Sequence, residues 1–128
     1  MSVRLPSTIK RELVEAAEKI ADKVQAQRNQ ASQLRNLLQI AQTESDVKVL
    51  ANFIHYQAGR NNKSLREFWE PIQLDVIREL KAIEKRPELQ DEELRRIAIQ
   101  HFFGYIVRHY FFVTRPAAQN AANTPAGR

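Results

Sequence analysis

Cysteine is absent from this chain of 128 residues. Disulfides and thiolate metal sites are therefore excluded within it, which fits a reducing compartment. Glycine and proline are also scarce, with 3 and 5 residues, so the chain offers few of the turn signals that a β-rich fold needs. The rest of the composition, with 43% apolar and 27% charged residues, is that of an ordinary globular domain.

Long apolar runs are missing as well. The start of the chain, MSVRLP, lacks the apolar stretch of a signal peptide, and no segment approaches the roughly 20 apolar residues that cross a bilayer. We therefore expect a soluble protein of the cytoplasm with no membrane partner. Glycine-rich phosphate loops, nucleophile elbows and metal-binding histidine motifs do not occur either, so no cofactor is expected.

Apolar residues recur at spacings of three and four in every long segment, a pattern typical of amphipathic helices. Ile9, Leu13, Ile20 and Val24, for example, share one helical face. The predicted fold class is all-α, a compact bundle of about five helices forming a single domain over residues 1–113. The helices are expected at residues 7–27, 32–42, 45–58, 65–85 and 91–113. The last of these is the most apolar and is expected at the centre of the bundle.

Several residues mark the predicted boundaries. Gly59 is placed to end the third helix as a left-handed residue, and Ser64 with Glu67 forms a capping box that opens the fourth. Pro71 must kink or restart that helix, because proline lacks an N–H and clashes one turn back. Residues 114–128 are small and polar, and we expect them to form a disordered tail.

Charge is distributed in blocks around a net charge of +5. Residues 28–66 carry six bases against two acids, residues 67–93 carry nine acids against four bases, and residues 94–128 carry five arginines and no acid. Two basic blocks therefore flank an acidic one. Basic segments can bind nucleic-acid backbones, although charges of this kind can also do no more than solvate helix faces.

No catalytic site is predicted, and the chain is expected not to be an enzyme. Its only histidines are His55, His101 and His109. The last two would lie about 12 Å apart along one helix, which is too far to share a metal. No carboxylate lies near them in sequence, whereas hydrolysis of RNA would need an acid and a base converging on one phosphate.

Two basic features stand out. The segment 56–66 contains a glycine, a short polar loop and three bases, Arg60, Lys63 and Arg66. These bases can reach phosphates, with help from the N–H groups of the following helix, or they can cap the carbonyls of the preceding helix. Arg108 lies on an otherwise apolar helix, where it must be paired or exposed. It can therefore pair with the acidic block or reach bound RNA.

Aromatic residues occur at helical spacings and are expected in the core rather than as platforms for stacked bases. The most prominent are Trp69, Phe102, Phe103, Phe111 and Phe112. The aromatic pattern of sheet-based RNA readers is missing. Any RNA contact should therefore be made mainly to the backbone and be indifferent to sequence.

Three segments together resemble a known family: SQLRN at 32–36, FIHYQAGR at 53–60 and FFGYIVRHY at 102–110. They resemble, in order and spacing, the small subunit of type III-A CRISPR effector (Csm) complexes. The likeness extends from about residue 30 to residue 113. It implies a helical, non-nuclease protein of antiviral defence that stacks in several copies along a ribonucleoprotein, where guide RNA pairs with target RNA.

The resemblance also implies partners and sites. The partners would be CRISPR guide RNA, target RNA, other Csm subunits and further copies of this chain. Arg35 and Arg60 are the leading candidates for phosphate contacts. The remaining RNA-binding candidates are Lys48, Lys63, Arg66 and Arg108.

Two other functions compete with RNA binding. The chain can be a helical adaptor or scaffold that contacts only proteins, in which case its arginines are structural. It can also be a small hydrolase, which histidine-dependent RNA cleavage by the purified protein would indicate. Salt dependence distinguishes the first two, because phosphate binding weakens steeply with ionic strength.

Overall fold

The computed structural model describes residues 4–24, 31–60 and 62–114. These residues form a compact all-α fold without strands, which confirms the predicted fold class. The α-helices are α1 (Ser7–Asp22), α2 (Ala31–Ala41), α3 (Val47–Gly59), α4 (Lys63–Trp69), α5 (Gln73–Lys85) and α6 (Glu92–Thr114). A short 3₁₀ helix, Pro87–Leu89, precedes α6. Within this part of the chain, no helix combines the length and apolarity needed to cross a membrane.

The prediction of one helix over residues 65–85 is wrong, because the structure has two. The first ends at Trp69 and the second begins at Gln73, with Pro71 in the turn between them. Proline cannot donate the backbone hydrogen bond that a continuous helix needs at this position. Of the two outcomes expected for Pro71, the structure therefore shows a restart.

Two predicted boundary devices are also wrong. Asn62 rather than Ser64 caps α4, and its side-chain Oδ1 accepts a hydrogen bond of 3.1 Å from the Leu65 N–H. Gly59 is the last helical residue of α3 and does not adopt a left-handed conformation. The helix ends because Arg60 is extended, at φ −66° and ψ 149°. The predicted tail lies outside the described residues except for Thr114, the end of α6.

The central position of the last helix follows from its burial. It packs against α1, α2 and α5. Ile99, Phe102, Ile106 and Tyr110 are each 0% exposed on it. The predicted stripe of α1 also faces inward, since Ile9, Leu13, Ala17 and Ile20 are all buried. Burial of these faces supplies most of the driving force for folding.

An aromatic cluster joins α4 to the end of α6. The Phe68 ring meets those of Trp69 and Tyr110 edge-on, with ring centroids 5.1 and 6.4 Å apart. The Trp69 indole N–H points to Gln33 Oε1 on α2, at 3.5 Å. The core placement predicted for Trp69, Phe102 and Phe103 is therefore confirmed. It is wrong for Phe111 and Phe112, which are 41% and 55% exposed.

Truncation in the core should cost far more than truncation of an equally large exposed residue. Leu50 is 0% exposed on α3, whereas Leu74 on α5 is 63% exposed. We expect Leu50→Ala to lower the free energy of unfolding by about 2–5 kcal/mol, through lost burial and a residual cavity. Leu74→Ala should change it by less than about 0.5 kcal/mol. Urea denaturation followed by circular dichroism measures both, and equal effects would contradict this assignment of the core.

Candidate nucleic-acid interface

The turn between α3 and α4 gathers three of the six predicted RNA-binding residues. We call Tyr56–Arg60 together with Asn62–Arg66 the α3–α4 corner. Arg60, Lys63 and Arg66 are all exposed there. Within the described part of the corner, the only ion pair joins the Lys63 ammonium to Glu67 at 4.0 Å, with both side chains largely in solvent. Such a pair contributes little to stability, so Lys63 stays available to a ligand.

Where the corner is described, its backbone groups form hydrogen bonds with one another and not with the side chains of these cations. The Arg60 N–H donates to the Gln57 carbonyl at 3.4 Å, and the Asn62 N–H donates to the Arg60 carbonyl at 2.8 Å. Among the described residues, no carbonyl accepts from the side chains of Arg60, Lys63 or Arg66. The structure therefore does not show the alternative in which these bases cap α3. Neither is the first turn of α4 freely open to a phosphate, since the Leu65 N–H is already bonded to Asn62.

Arg60 is the most firmly positioned cation of the corner. Its guanidinium lies over the Tyr56 ring, 5.5 Å from the ring centroid. It also donates a hydrogen bond of 3.4 Å to the side-chain oxygen of Gln57. Gln57 is only 6% exposed and is the one buried polar residue in the part of the chain described. A guanidinium held by a ring and an amide loses less conformational entropy when it binds an anion.

The other three candidates, Lys48, Arg35 and Arg108, lie outside the corner, on α3, α2 and α6 respectively. Lys48 lies in the first turn of α3, about 18 Å from Arg60 along the helix. It lines a hollow that also contains Lys81 and Glu84 of α5. The structure thus brings Arg60, Lys63 and Arg66 together but leaves Lys48 apart from them.

Arg35 and Arg108 each lie against an aromatic ring. The Arg35 guanidinium, on α2, is 5.9 Å from the ring centroid of Phe111 on α6. The Arg108 guanidinium is 5.9 Å from the Tyr105 centroid and borders a hollow that also contains Glu18 of α1. Both arginines are exposed, and neither forms an ion pair among the described residues. Arg108 therefore satisfies the expectation that it be exposed, and it does not pair with the acidic block.

Other arginines support the fold. Arg96 donates to the Gln42 carbonyl at 3.0 Å, just beyond the end of α2, and Arg95 donates to the Leu89 carbonyl at 3.2 Å. Arg86 forms an ion pair with Glu12 that joins α5 to α1. Part of the predicted basic block after residue 93 is thus structural.

Tertiary packing creates a histidine–carboxylate contact that sequence spacing does not suggest. His109 Nε2 lies 2.8 Å from Asp22 Oδ1, and His109 Nδ1 lies 3.9 Å from Glu18 Oε2. Both ring nitrogens therefore face carboxylates of α1, which links α1 to α6. The hollow beside His109 is lined by no serine, threonine or cysteine among the described residues. His55 and His101 lie elsewhere, near Gln73 and the Ile97 carbonyl respectively.

The described residues contain no group of three or more histidine, cysteine, aspartate or glutamate side chains that could hold a metal ion.

No protein-family model, curated protein or solved structure matches this chain. The likeness to the Csm small subunit therefore rests on its three segments alone. These segments lie in α2, at the end of α3 and in α6.

Sequence reasoning missed two residues of the corner, Tyr56 and Gln57. A signal for Tyr56 was present, because it falls outside the apolar stripe of α3 formed by Leu50, Ile54 and Ala58. An aromatic residue off the buried stripe of a helix is expected to face solvent, and Tyr56 is 62% exposed. A signal for Gln57 was present as well, because it lies seven residues after Leu50 and three after Ile54 and so falls on the buried face of α3, although polar residues are usually exposed.

A cluster of opposite charges joins α1 to α5 and should make stability depend on pH. The Lys23 ammonium donates a hydrogen bond to Asp75, and with help from Arg78 it holds the pKa of this carboxyl below its ordinary 3.8, although burial acts in the opposite direction. A lowered folded-state pKa stabilises the fold above the unfolded-state value, and this stabilisation is lost as pH falls through the folded-state value.

We expect Asp75→Asn to be less stable than the native chain at pH 7, and the difference to shrink as pH falls below about 4. Thermal unfolding of both proteins between pH 2.5 and 7 measures this. Arg11→Ala is a control, because its side chain is 84% exposed and its ion pair, at 3.9 Å, is with Glu15 of the same helix. A difference between Asp75→Asn and the native chain that stays constant over the whole range would contradict the role given to Asp75.

Proposed function

We propose that this chain is a non-catalytic, RNA-backbone-binding small subunit of a type III-A CRISPR effector complex. The observation that carries the proposal is the α3–α4 corner, where three exposed cations occupy one turn of the fold. Residues 47–66 contain four bases and no carboxylate. Such a surface attracts a polyanion, because binding releases the counterions condensed on its phosphates.

The geometry favours contacts to phosphates over reading of base edges. Lys63 and Arg66 are exposed side chains at the start of α4, where they can reach the phosphates of a strand that lies along the surface. Backbone contacts of this kind position a protein on RNA without conveying sequence information. This agrees with a subunit whose complex obtains its specificity from pairing between guide and target RNA.

Weak binding by one copy is compatible with this function. In the proposed complex several copies would stack along one RNA, so each contact after the first would form at a high effective concentration. The exposed candidates Arg35 and Arg108 lie on other elements and provide contacts to RNA or to neighbouring subunits. The proposed partners are guide RNA, target RNA, other Csm subunits and copies of this chain.

A helical adaptor without RNA contact is the second candidate, and a specific observation favours it. Leu74 and Phe112 are 63% and 55% exposed, on α5 and α6 respectively. Large exposed apolar residues are common at protein interfaces. An adaptor would use these surfaces, and its binding would depend little on the charges of the corner.

Removing two cations of the corner should weaken RNA binding and its dependence on salt. We expect Lys63→Ala combined with Arg66→Ala to lower the affinity for single-stranded RNA to a similar extent for every sequence. The slope of log affinity against log salt concentration should fall by roughly 1.4, or about 0.7 for each lost phosphate contact. Fluorescence anisotropy with labelled RNA between 50 and 300 mM salt measures both quantities, and micromolar to millimolar protein concentrations are needed for one copy.

Arg11→Ala combined with Lys19→Ala is the matched control, since it removes the same two unit charges from exposed sites on α1. It should leave the slope nearly unchanged. Equal effects of the corner variant and this control would show that only net charge matters, and would exclude the corner as the site. Absence of RNA binding at 50 mM salt would favour the adaptor.

A further inference from the structure

Tyr56 is an exposed aromatic ring with a cation already fixed against it. The residue is 62% exposed, more than either Phe111 or Phe112. The Arg60 guanidinium lies 5.5 Å from the ring centroid, within the range of an attractive cation–π contact. Arg35 and Arg108 also approach rings, but Phe111 is less exposed and Tyr105 is half-buried.

The surroundings keep the Tyr56 ring accessible. The ring is 62% exposed. Gly59, three residues further along α3, has no side chain, and a Cβ placed there would meet no side chain within 4 Å, so the surface at the end of α3 is open. Gln57 holds the Arg60 guanidinium from the buried side of the helix, at 3.4 Å. Ring and guanidinium together form a small platform whose position does not depend on a ligand.

We infer that the Tyr56–Arg60 platform is a stacking site for an unpaired RNA base. The inference rests on the proposed function and deepens it, since it adds a base contact to a surface otherwise assigned to the backbone. Unpaired bases stack on aromatic rings and on the planes of arginine guanidinium groups, and both are present here. Lys63, in the same corner, provides a cation for the adjoining phosphate.

The charge around the platform favours RNA over a protein segment as its occupant. Residues 47–66 contain four bases and no carboxylate, and Glu67 next to them offsets one of these charges, so the segment around the platform is predominantly positive. An apolar protein side chain would gain nothing from this charge, whereas each nucleotide carries a phosphate beside its base. Stacking of this kind accepts any base, which is consistent with recognition that is indifferent to sequence.

The test uses the full chain and two single-stranded RNAs of equal length. One RNA carries 2-aminopurine among ordinary bases, and the other has the same backbone with abasic riboses. We expect the native chain to quench 2-aminopurine fluorescence on binding and to prefer the base-containing RNA. Tyr56→Ala should abolish the quenching and lower the affinity for that RNA by roughly 5- to 150-fold, the effect of losing one stacked base. Its affinity for the abasic RNA should stay unchanged.

Two further variants separate stacking from other causes. Tyr56→Phe keeps the ring and should retain both the quenching and the preference. Leu74→Ala removes a similarly exposed apolar side chain from α5 and should change neither. Circular dichroism should show that every variant is folded, since Tyr56 and Leu74 are both largely in solvent.

The possible failures are distinguishable. If the native chain and Tyr56→Ala each bind both RNAs with equal affinity, the assignment of a stacking site is wrong. The proposed backbone binding would still hold if Lys63→Ala with Arg66→Ala lowers the affinity for RNA. If Tyr56→Phe lowers the affinity for the base-containing RNA as much as Tyr56→Ala does, the hydroxyl rather than the ring makes the contact, and the inference is again wrong. If neither RNA binds at 50 mM salt, the inference and the proposed function both fail, and the exposed ring is then better explained as a protein contact.

Discussion

Burial of α6 is the constraint on which the rest of this fold depends. This helix is lined by residues that are fully buried, and it packs against α1, α2 and α5. Near its end, Tyr110 meets Phe68 of α4, while Trp69 reaches Gln33 of α2. The long apolar helix thus provides a common surface for elements that are far apart in sequence. Interiors are packed closely enough that a shift of this helix would displace each of its neighbours.

The α3–α4 corner depends on this core although its functional side chains are exposed. Phe68 and Trp69 anchor the end of α4, and Leu50 and Ile54 anchor α3. Pro71 then forces the chain to turn, so α4 is a separate short helix rather than the start of α5. The side chain of Asn62 caps α4, and the side chains of Arg60, Lys63 and Arg66 form no hydrogen bond to a backbone carbonyl among the described residues. A rigid support under a polar surface suits recognition, because little order has to be gained on binding.

Arginine has two distinct uses in this molecule. Arg96 binds a carbonyl and Arg86 pairs with a carboxylate, so both hold helices together. Arg60, Arg35 and Arg108 instead lie over aromatic rings and keep their guanidinium groups in contact with solvent. A cation–π contact orients a guanidinium without neutralising its charge. The second group therefore keeps an attraction for anions that the first has largely satisfied internally.

The sequence by itself determined the helical class, the inward stripes of α1 and α6, the burial of Trp69 and Phe102, and the interruption at Pro71. These follow from periodicity and from the missing N–H of proline, which are local properties of the chain. Only the tertiary structure decided that Phe111 and Phe112 are exposed, that His109 meets Asp22, and which arginines bind carbonyls or carboxylates and which lie over aromatic rings. Periodicity identifies the face of a helix that is apolar, but it does not say how far a neighbouring helix extends to cover it. The pairing of Tyr56 with Arg60 has the same origin, because it depends on where α3 ends and on the contact of the Arg60 guanidinium with the Gln57 side chain.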